Sequence, residues 1–207
     1  MTKVAWEPAG KDCGACGTAT CEQFLSHVRA GEKSYKDCPY YETEEGVRRE
    51  APTYSGTDVL GNEYDFVLRP LPGEPSARKF IVPFRADLVE RWDITAGDLV
   101  TGRPAGPGCP LYHALRVLSA NPVTGVLECH TLGPLAARKE KSHDVQAYNV
   151  HAFEGIAEVI RHAPVIGKRQ RFLPGYCMIN LSHTAVVNMV LNKRAGIHVR
   201  LEDIRIL

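Results

Sequence analysis

Four of the chain's seven cysteines lie within one window of 28 residues, "DCGACGTATCEQFLSHVRAGEKSYKDCP", residues 12–39. They are Cys13, Cys16, Cys21 and Cys38, with the spacing C-x2-C-x4-C-x16-C. In a reducing compartment, clustered thiols bind metal or carry out chemistry more often than they form disulfides. This window therefore constrains the fold of the N-terminal part more than any other feature of the sequence.

The composition is that of a globular protein with a buried core. The 207 residues are 44% hydrophobic and 24% charged, with a formal net charge of +1. A charge so close to neutral does not indicate a nucleic-acid or membrane-surface partner. No apolar run reaches the roughly 20 residues of a spanning helix, and the N-terminus lacks the apolar stretch of a signal peptide. We therefore expect a cytoplasmic protein with no membrane insertion and no nucleic-acid partner.

The spacing of the four cysteines favours an iron–sulfur cluster, with zinc as the alternative. Zinc modules usually pair two short knuckles of the form C-x2–4-C or H-x3–5-H. Here only Cys13 and Cys16 have the spacing of a knuckle, and Cys38 has no second cysteine close to it in the sequence. Iron–sulfur sites often combine three closely spaced cysteines with a distant fourth. The small residues between the first three cysteines let the backbone wrap closely around a bulky inorganic core.

A short helix is predicted in the middle of the window. Thr20 and Gln23 have the spacing of a capping box, and Gly31 stands where such a helix would end. Cys21 would then lie in the first turn, where the positive end of the helix dipole favours a thiolate. One face of this helix carries an apolar stripe that would cover the site: Cys21, Phe24, Leu25 and Val28.

The window resembles the four-cysteine [4Fe–4S] domain of the corrinoid iron–sulfur protein large subunit and of the RnfB electron-transport subunit. Their pattern is C-x2-C-G-x3-C-x-x-[FL]-A, then a helix, a glycine turn and a distant Cys-Pro. The matching positions here are Cys13, Cys16, Gly17, Cys21, Phe24, Gly31, Cys38 and Pro39. The resemblance implies that Cys13, Cys16, Cys21 and Cys38 ligate one [4Fe–4S] cluster. It covers one fifth of the chain, so only the cluster module transfers and not the function of those host proteins.

The chain is predicted to have an α+β fold in three segments. A small helical [4Fe–4S] cluster module occupies residues 1–40, and a polar, turn-rich linker occupies residues 41–62. Residues 63–207 are predicted to form a β-rich docking domain, either barrel-like or a curled sheet.

The strand signals in the β-rich domain are short and frequent. "YDFVLRPLP", "RKFIVPF" and "GDLVTGR" are typical of strands, and "ALRVLSANPVTGVLECHTL" predicts a hairpin that turns at Asn121 to Gly125. Ile197, Val199 and Leu201 alternate with polar residues, as in a half-buried strand. "RADLVERWDI" predicts one short helix, and "SHTAVVNMVLN" suits either a helix or a strand.

One loop of the β-rich domain is a candidate pocket. "GRPAGPGCPLYH", residues 102–113, combines Gly102, Gly106 and Gly108 with three prolines and contains Cys109 and His113. It is either a substrate or cofactor pocket, or a proline-rich connection whose cysteine is a small buried hydrophobe. Its glycines match neither the P-loop nor the dinucleotide-binding fingerprint.

The other candidate groups favour structural roles. Cys109, Cys129 and Cys177 lie 20 and 48 residues apart, a spacing that does not support a second metal site. Cys129 and His130 lie on a probable strand, so one of the two is expected to point inward, as a packed thiol or a hydrogen-bonded core histidine. Cys177, which precedes His183, is expected to be a buried thiol. The basic residues of "GKRQR" suit a solvated face, with a partner-docking patch as the alternative: Lys168, Arg169 and Arg171.

A single cluster first suggests a one-electron relay, in which the β-rich domain docks the cluster module onto a larger redox enzyme. Residues 1–50 hold 7 Lys and Arg against 9 Asp and Glu, a net charge of −2, which a thiolate-ligated cluster makes more negative. The expected partners are redox proteins or enzyme subunits with a basic rim, in a hetero-complex. Proteins with this module belong to anaerobic one-carbon or energy metabolism, so the resemblance implies a similar setting.

Two other function classes stay open. In the first, the cluster feeds electrons to a substrate or flavin bound near residues 102–113, which makes the protein a reductase or a cofactor-activating enzyme. In the second, the cluster has no redox role and serves maturation, sensing or the fold. A bound flavin indicates the first, and a cluster without reversible reduction indicates the second.

Overall fold

The computed structural model describes residues 6–8, 10, 12, 14, 16–38, 40–41, 54–105, 109–133, 136–175, 177 and 179–206. Several positions used in the sequence predictions lie outside the described residues: Cys13, Pro39, Gly106, Gly108 and residues 42–53 of the predicted linker. No helix in the described part of the chain has the length and the apolar character that crossing a membrane requires.

The predicted N-terminal helix is confirmed as α1 (Cys21–Arg29), followed by a 3-10 turn (Tyr35–Asp37). It begins where the Thr20 hydroxyl accepts a hydrogen bond from the Gln23 amide at 3.1 Å. The Gln23 side chain accepts from the Ala19 amide at 3.2 Å, one residue earlier than a capping box requires. The helix ends at the predicted glycine, because Gly31 adopts φ +76° and its amide donates a hydrogen bond to the Val28 carbonyl.

The rest of the described chain is mostly β-sheet, which confirms the predicted β-rich part. Its strands are β1 (Phe66–Arg69), β2 (Arg78–Pro83), β3 (Leu99–Pro104), β4 (His113–Ala120), β5 (Leu127–Leu132), β6 (Ser142–Glu158), β7 (Arg169–Pro174), β8 (His183–Lys193) and β9 (Gly196–Ile206). Two short helices, α2 (Asp87–Arg91) and α3 (Ala136–Lys139), connect them. The stretch that suited either helix or strand is strand β8.

The nine strands form one sheet in the order β1-β7-β8-β9-β6-β2-β5-β4-β3. Both end strands also pair with β6: β1 antiparallel at residues 156–158, and β3 parallel at residues 142–148. The pairings therefore close two rings of strands that share the 17-residue strand β6. A strand so long can serve both rings because its two halves have different neighbours.

Each ring encloses its own apolar core. The core within β2 to β6 and against α2 consists of Ile81, Leu88, Val89, Ile94, Val100, Leu115, Val117, Leu127, Cys129, Val145 and Tyr148. The core of the other ring consists of Phe66, Leu68, Ala77, Phe153, Ala157, Phe172, Ala185, Val187, Val199 and Leu201. We call them the first and the second core.

The described end of the predicted linker, residues 54–62, is anchored on the β-rich domain. The buried Asp58 carboxylate accepts hydrogen bonds from the backbone amides of Leu60 and Asn62, both at 2.9 Å. It also accepts from the Ser182 hydroxyl at 2.5 Å, just before β8. Charge-assisted hydrogen bonds of this kind hold a loop firmly to a sheet.

The predicted hairpin is confirmed by β4 and β5, whose turn is closed by a hydrogen bond from the Asn121 amide to the Val126 carbonyl at 2.9 Å. The helix predicted over residues 85–94 is shorter, because Asp93 adopts a left-handed φ of +50° just after it ends. Strand β6 had no clear sequence signal, since polar residues interrupt "SHDVQAYNVHAFEGIAE" throughout.

Candidate functional site

The cysteine window folds into a loop, helix α1 and the 3-10 turn. Cys16 ends the loop, Cys21 is the first residue of α1, and Cys38 follows the 3-10 turn. Cys13 lies outside the described residues. The Asp12 carboxylate accepts a hydrogen bond from the Cys21 amide at 2.6 Å. This amide is one of those at the start of a helix that have no partner within the helix. That contact fixes the loop relative to the helix.

Left-handed backbone lets the loop turn tightly between its cysteines. Gly14 and Gly17 have φ of +68° and +81°, and the Gly17 amide donates to the Gly14 carbonyl at 2.9 Å. A side chain at either position would be strained. Lys33 reaches back from beyond α1 and donates to the Cys16 carbonyl at 2.8 Å. The left-handed backbone therefore explains why the sequence motif has glycine at these two positions.

Burial differs among the three described cysteines of the window. Cys38 is 7% exposed, whereas Cys16 and Cys21 are half-buried. Phe24 lies one turn after Cys21 on α1 and is 1% exposed. The predicted apolar stripe therefore faces inward, and it keeps water from one side of the window.

The loop also contacts the β-rich domain. A side-chain carbon added at Gly14 would lie 3.4 Å from Cδ1 of Leu132 and 3.7 Å from Cβ of Ala136. Leu132 ends β5 and Ala136 begins α3. The cysteine loop is therefore packed against the end of strand β5.

The donor atoms of the window fit an iron–sulfur cluster. Such clusters take cysteine thiolates, and the described part of the window supplies Cys16 from the loop, Cys21 from the start of α1 and Cys38 from the end of the 3-10 turn. Among the described residues, no group of three or more His, Cys, Asp and Glu side chains is arranged to hold a single metal ion. Cys13, the remaining thiol of the window, is not among them.

Several of the downstream candidates lie around one buried lysine, Lys79, the second residue of β2. It is 3% exposed, and on the sheet it is paired with Cys129 of β5 and with Phe153 of β6. Cys109 and Cys177 are also within electrostatic range of Lys79. Strand pairing thus places one of the three downstream cysteines, Cys129, directly beside this amine.

Two histidines and a tyrosine complete this group. His113 and the Tyr148 hydroxyl share a hydrogen bond at 2.7 Å, and Cys109 Sγ lies 3.9 Å from His113 Nε2. Burial, together with a smaller effect of the Lys79 charge, lowers the pKa of His113 to about 2 and that of His183 to about 4. We call the group the Lys79 cluster: Lys79, Cys109, His113, Cys129, Tyr148, Cys177 and His183.

Sequence reasoning missed Lys79 and Tyr148 at this site. A signal for the lysine was present, because "RKFIVP" alternates and Lys79 is in phase with Ile81 and Pro83, all of which are buried. A lysine on the inward face of a strand is rare and marks a special environment. Tyr148 had no comparable signal within the polar sequence of β6.

The remaining sequence candidates have structural roles. Cys129 is fully buried, and His130 is hydrogen-bonded to Glu74 at 3.0 Å, as expected for a packed thiol and a core histidine. In the basic stretch, Arg169 forms an ion pair with Asp203 and is exposed, which agrees with a solvated face.

Comparisons with known proteins address the N-terminal window and the whole chain separately. A family model described as "Putative Fe-S cluster" matches residues 9–40, the range that contains all four clustered cysteines. The chain therefore carries an iron–sulfur module at its N-terminal end. No solved structure gives a significant match.

Over nearly its whole length, the chain is similar to uncharacterized protein MJ0119 of Methanocaldococcus jannaschii. The two are 30% identical over 206 residues, and the alignment covers 91% of this chain and 87% of the relative. Similarity on this scale includes most of the β-rich domain. The chain belongs to the same protein family as this archaeal protein.

Proposed function

We propose that the protein is an electron-transfer protein with one [4Fe–4S] cluster, held by Cys13, Cys16, Cys21 and Cys38. The observation that carries the proposal is the iron–sulfur family match at residues 9–40, which spans these four cysteines. When bound, such a cluster supplies a one-electron couple.

The residues around the window have defined roles in this proposal. Asp12 and Lys33 hold the loop to α1 and to the segment that follows it, through hydrogen bonds at 2.6 and 2.8 Å. Phe24 excludes water from the inner side. Contacts of this kind would limit the rearrangement that accompanies a change of charge at the cluster.

We propose that the β-rich domain docks the cluster module onto the subunits of a larger redox enzyme of anaerobic metabolism. The contact of Gly14 with the end of β5 supports a fixed position of the module on this domain. The curled sheet, which we interpret as barrel-like because both end strands pair with β6, offers a rigid base for it. With a net charge of −2 over residues 1–50, the module suits a partner surface with a basic rim.

A second candidate function is a cluster-fed reductase or cofactor-activating enzyme with its pocket near residues 102–113. The Lys79 cluster favours it, since Cys109 and His113 of that loop border a buried amine. Cys129 of the same group lies three residues before Leu132, about 10 Å along strand β5 from the contact with the cysteine loop.

The first test uses protein purified without oxygen. We expect about four irons and four sulfides per chain, with visible absorbance that bleaches on dithionite and returns on reoxidation. Zinc without sulfide would remove the electron-transfer proposal. A cluster that cannot be reduced reversibly would favour a role in maturation, sensing or the fold.

The ligand assignment is tested by two serine variants. We expect Cys21→Ser to lose most of its iron, because a cluster ligand has been removed from a small module. The matched control Cys109→Ser, from the Lys79 cluster, should keep its iron content. Full iron in Cys21→Ser would contradict the assignment, and iron loss in Cys109→Ser would mean that the β-rich domain supplies a ligand.

A further inference from the structure

A tryptophan that precedes the cysteine window packs against aromatic residues inside it. The Trp6 ring lies edge-on to the rings of Tyr35 and Tyr41, with ring centres 5.5 and 5.3 Å apart. The two tyrosine rings are stacked on each other at 6.5 Å. Edge-to-face contacts of this kind orient an aromatic ring. Trp6 is therefore part of the folded module, although it lies outside the family match at residues 9–40.

Both tyrosines are connected to Cys38 through the backbone. The Cys38 amide donates a hydrogen bond to the Tyr35 carbonyl at 3.1 Å, and the Tyr41 amide donates to the Cys38 carbonyl at 3.0 Å. Cys38 itself is 7% exposed. Trp6 thus packs against the residues that hold this cysteine from either side, which places the indole ring in the neighbourhood of the most buried described thiol of the window.

The indole N–H of Trp6 is buried without an acceptor. Its Nε1 atom is inaccessible to solvent, and no described residue accepts a hydrogen bond from it. An indole N–H can only donate, and buried tryptophans usually have an acceptor. Other polar groups of the module do have acceptors: Lys33 donates to the Cys16 carbonyl at 2.8 Å. Likewise, the Thr18 hydroxyl donates to the Thr20 carbonyl at 3.1 Å.

An iron–sulfur cluster would supply the acceptor that the described chain does not. Its sulfides and the thiolates that bind it accept hydrogen bonds, and these hydrogen bonds are one of the factors that set its reduction potential. At the other side of the window, the Thr18 hydroxyl lies 3.1 Å from Cys16 Sγ. A polar donor is thus present beside the first described thiol, and Trp6 would be its counterpart near the last.

From this arrangement we propose that the Trp6 indole N–H donates a hydrogen bond to a sulfur of the cluster near Cys38 and thereby raises the reduction potential of the cluster. The proposal rests on the proposed electron-transfer function, since it requires the cluster. Reduction adds one negative charge to the cluster, so a donor beside it stabilises the reduced form more than the oxidised form.

The test compares the reduction potentials of the intact, cluster-containing protein and two variants. Trp6→Phe removes the N–H and keeps an aromatic ring. The matched control Trp92→Phe changes the other tryptophan of the chain, which stacks on His143 in the β-rich domain. At a fixed applied potential, we expect the ratio of reduced to oxidised cluster to fall about threefold to tenfold in Trp6→Phe, as for the loss of one hydrogen bond. The ratio should be unchanged in Trp92→Phe.

A second measurement detects the hydrogen bond itself and needs no redox step. Fe–S stretching bands in the resonance Raman spectrum of the oxidised cluster shift on transfer to D2O when exchangeable donors bind its sulfurs. We expect a smaller shift in Trp6→Phe than in wild type and in Trp92→Phe, because one of the donors has been removed.

An isosteric replacement covers the case in which Trp6→Phe does not retain its cluster. Because the chain has two tryptophans, the Trp92→Phe background leaves Trp6 alone to be replaced by benzothienylalanine during expression. This analogue has sulfur in place of the N–H and keeps the shape of the ring. We expect it to hold the cluster and to show the same lower potential and smaller Raman shift.

The outcomes separate this proposal from the function on which it rests. Absence of iron and sulfide would overturn both. A cluster that is present but not reversibly reduced would overturn electron transfer alone, and the Raman shift would then decide whether Trp6 is a donor. With a reversible cluster, an equal potential or an equal Raman shift after removal of the N–H would overturn the hydrogen bond and leave the electron-transfer function intact.

Discussion

The cluster module and the β-rich domain are each stabilised by a different kind of contact. Of the described residues in 6–41, only Phe24, Cys38 and Thr18 are buried, and most fixed contacts are polar caps and turns. The described part of the β-rich domain has nine strands and four clusters of buried apolar residues, of which the first and the second core are the largest. Apolar burial suffices for the domain, whereas a segment as small as the module needs further stabilisation, which metal ligands commonly supply.

Removal of iron is expected to have the largest effect, confined to the cluster module. Chelation after oxidation should abolish protection of the α1 amides against hydrogen exchange, because the ligands hold so small a unit together. Amides in β6 and β9, which pair in the middle of the sheet, should keep their protection. Persistent protection of α1 without iron would show that the module folds on its own contacts.

The next largest effect is expected from truncating one buried phenylalanine in each region. Phe24→Ala and Phe172→Ala each remove a ring that is at most 1% exposed, at a cost of about 3 kcal/mol or more. We expect Phe24→Ala to lower the iron content with little change in the melting temperature of the domain. Phe172→Ala should lower that temperature and leave iron unchanged. The reverse pattern would mean that the two regions unfold as one.

Asp58 tests how firmly the segment before β1 is attached to the domain. Burial raises the pKa of its carboxyl, but hydrogen bonds from Ser182 and Asn62 lower it more, to about 2 against an ordinary 3.8. A lowered folded-state pKa means that its stabilisation is present above pH 4 and is lost as pH falls from 4 towards 2. We expect Asp58→Asn to cost about 2 kcal/mol of unfolding free energy at pH 7.

The measurement for Asp58 is chemical denaturation between pH 7 and pH 3. The stability gap between wild type and Asp58→Asn should narrow as pH falls. If the stability difference between wild type and Asp58→Asn stayed constant with pH, it would come from the shape of the new side chain and not from the loss of the carboxylate charge.

The smallest expected effect comes from the same glycine change made in both regions. Gly31 and Gly61 have φ of +76° and +81°, and no atom lies within 4 Å of an added side-chain carbon at either. Alanine at each position should therefore cost only the backbone term, about 1 kcal/mol. Gly31→Ala should reduce exchange protection in α1, and Gly61→Ala in the segment around Asp58. An effect that crosses from one region to the other would show that they are coupled.

Local features were predictable from the sequence because they depend on neighbouring residues. The start of α1 at Thr20, its end at Gly31 and the hairpin turn at Asn121 to Gly125 are each set by contacts within a few positions. The cysteine spacing likewise indicated an iron–sulfur module, which the family match at residues 9–40 supports. The four-cysteine ligand assignment stays a prediction.

Long-range features were not predictable in the same way. Strand β6 is buried by different neighbours along its length, so its sequence has no single alternation. Tyr148 reaches His113 only because β3 pairs with β6 on one side and with β4 on the other. The three downstream thiols were expected to be unrelated, since their sequence spacing carries no information about their distances across a curled sheet.

The sequence by itself determined the iron–sulfur module and the β-rich character of the rest, because cysteine spacing, capping residues and apolar alternation act over short distances. Only the tertiary structure decided that both end strands of the sheet pair with β6 and that a lysine, Lys79, is buried beside Cys129. The physical reason is that strand pairing joins residues far apart in the chain, and the environment of a charge depends on all of them.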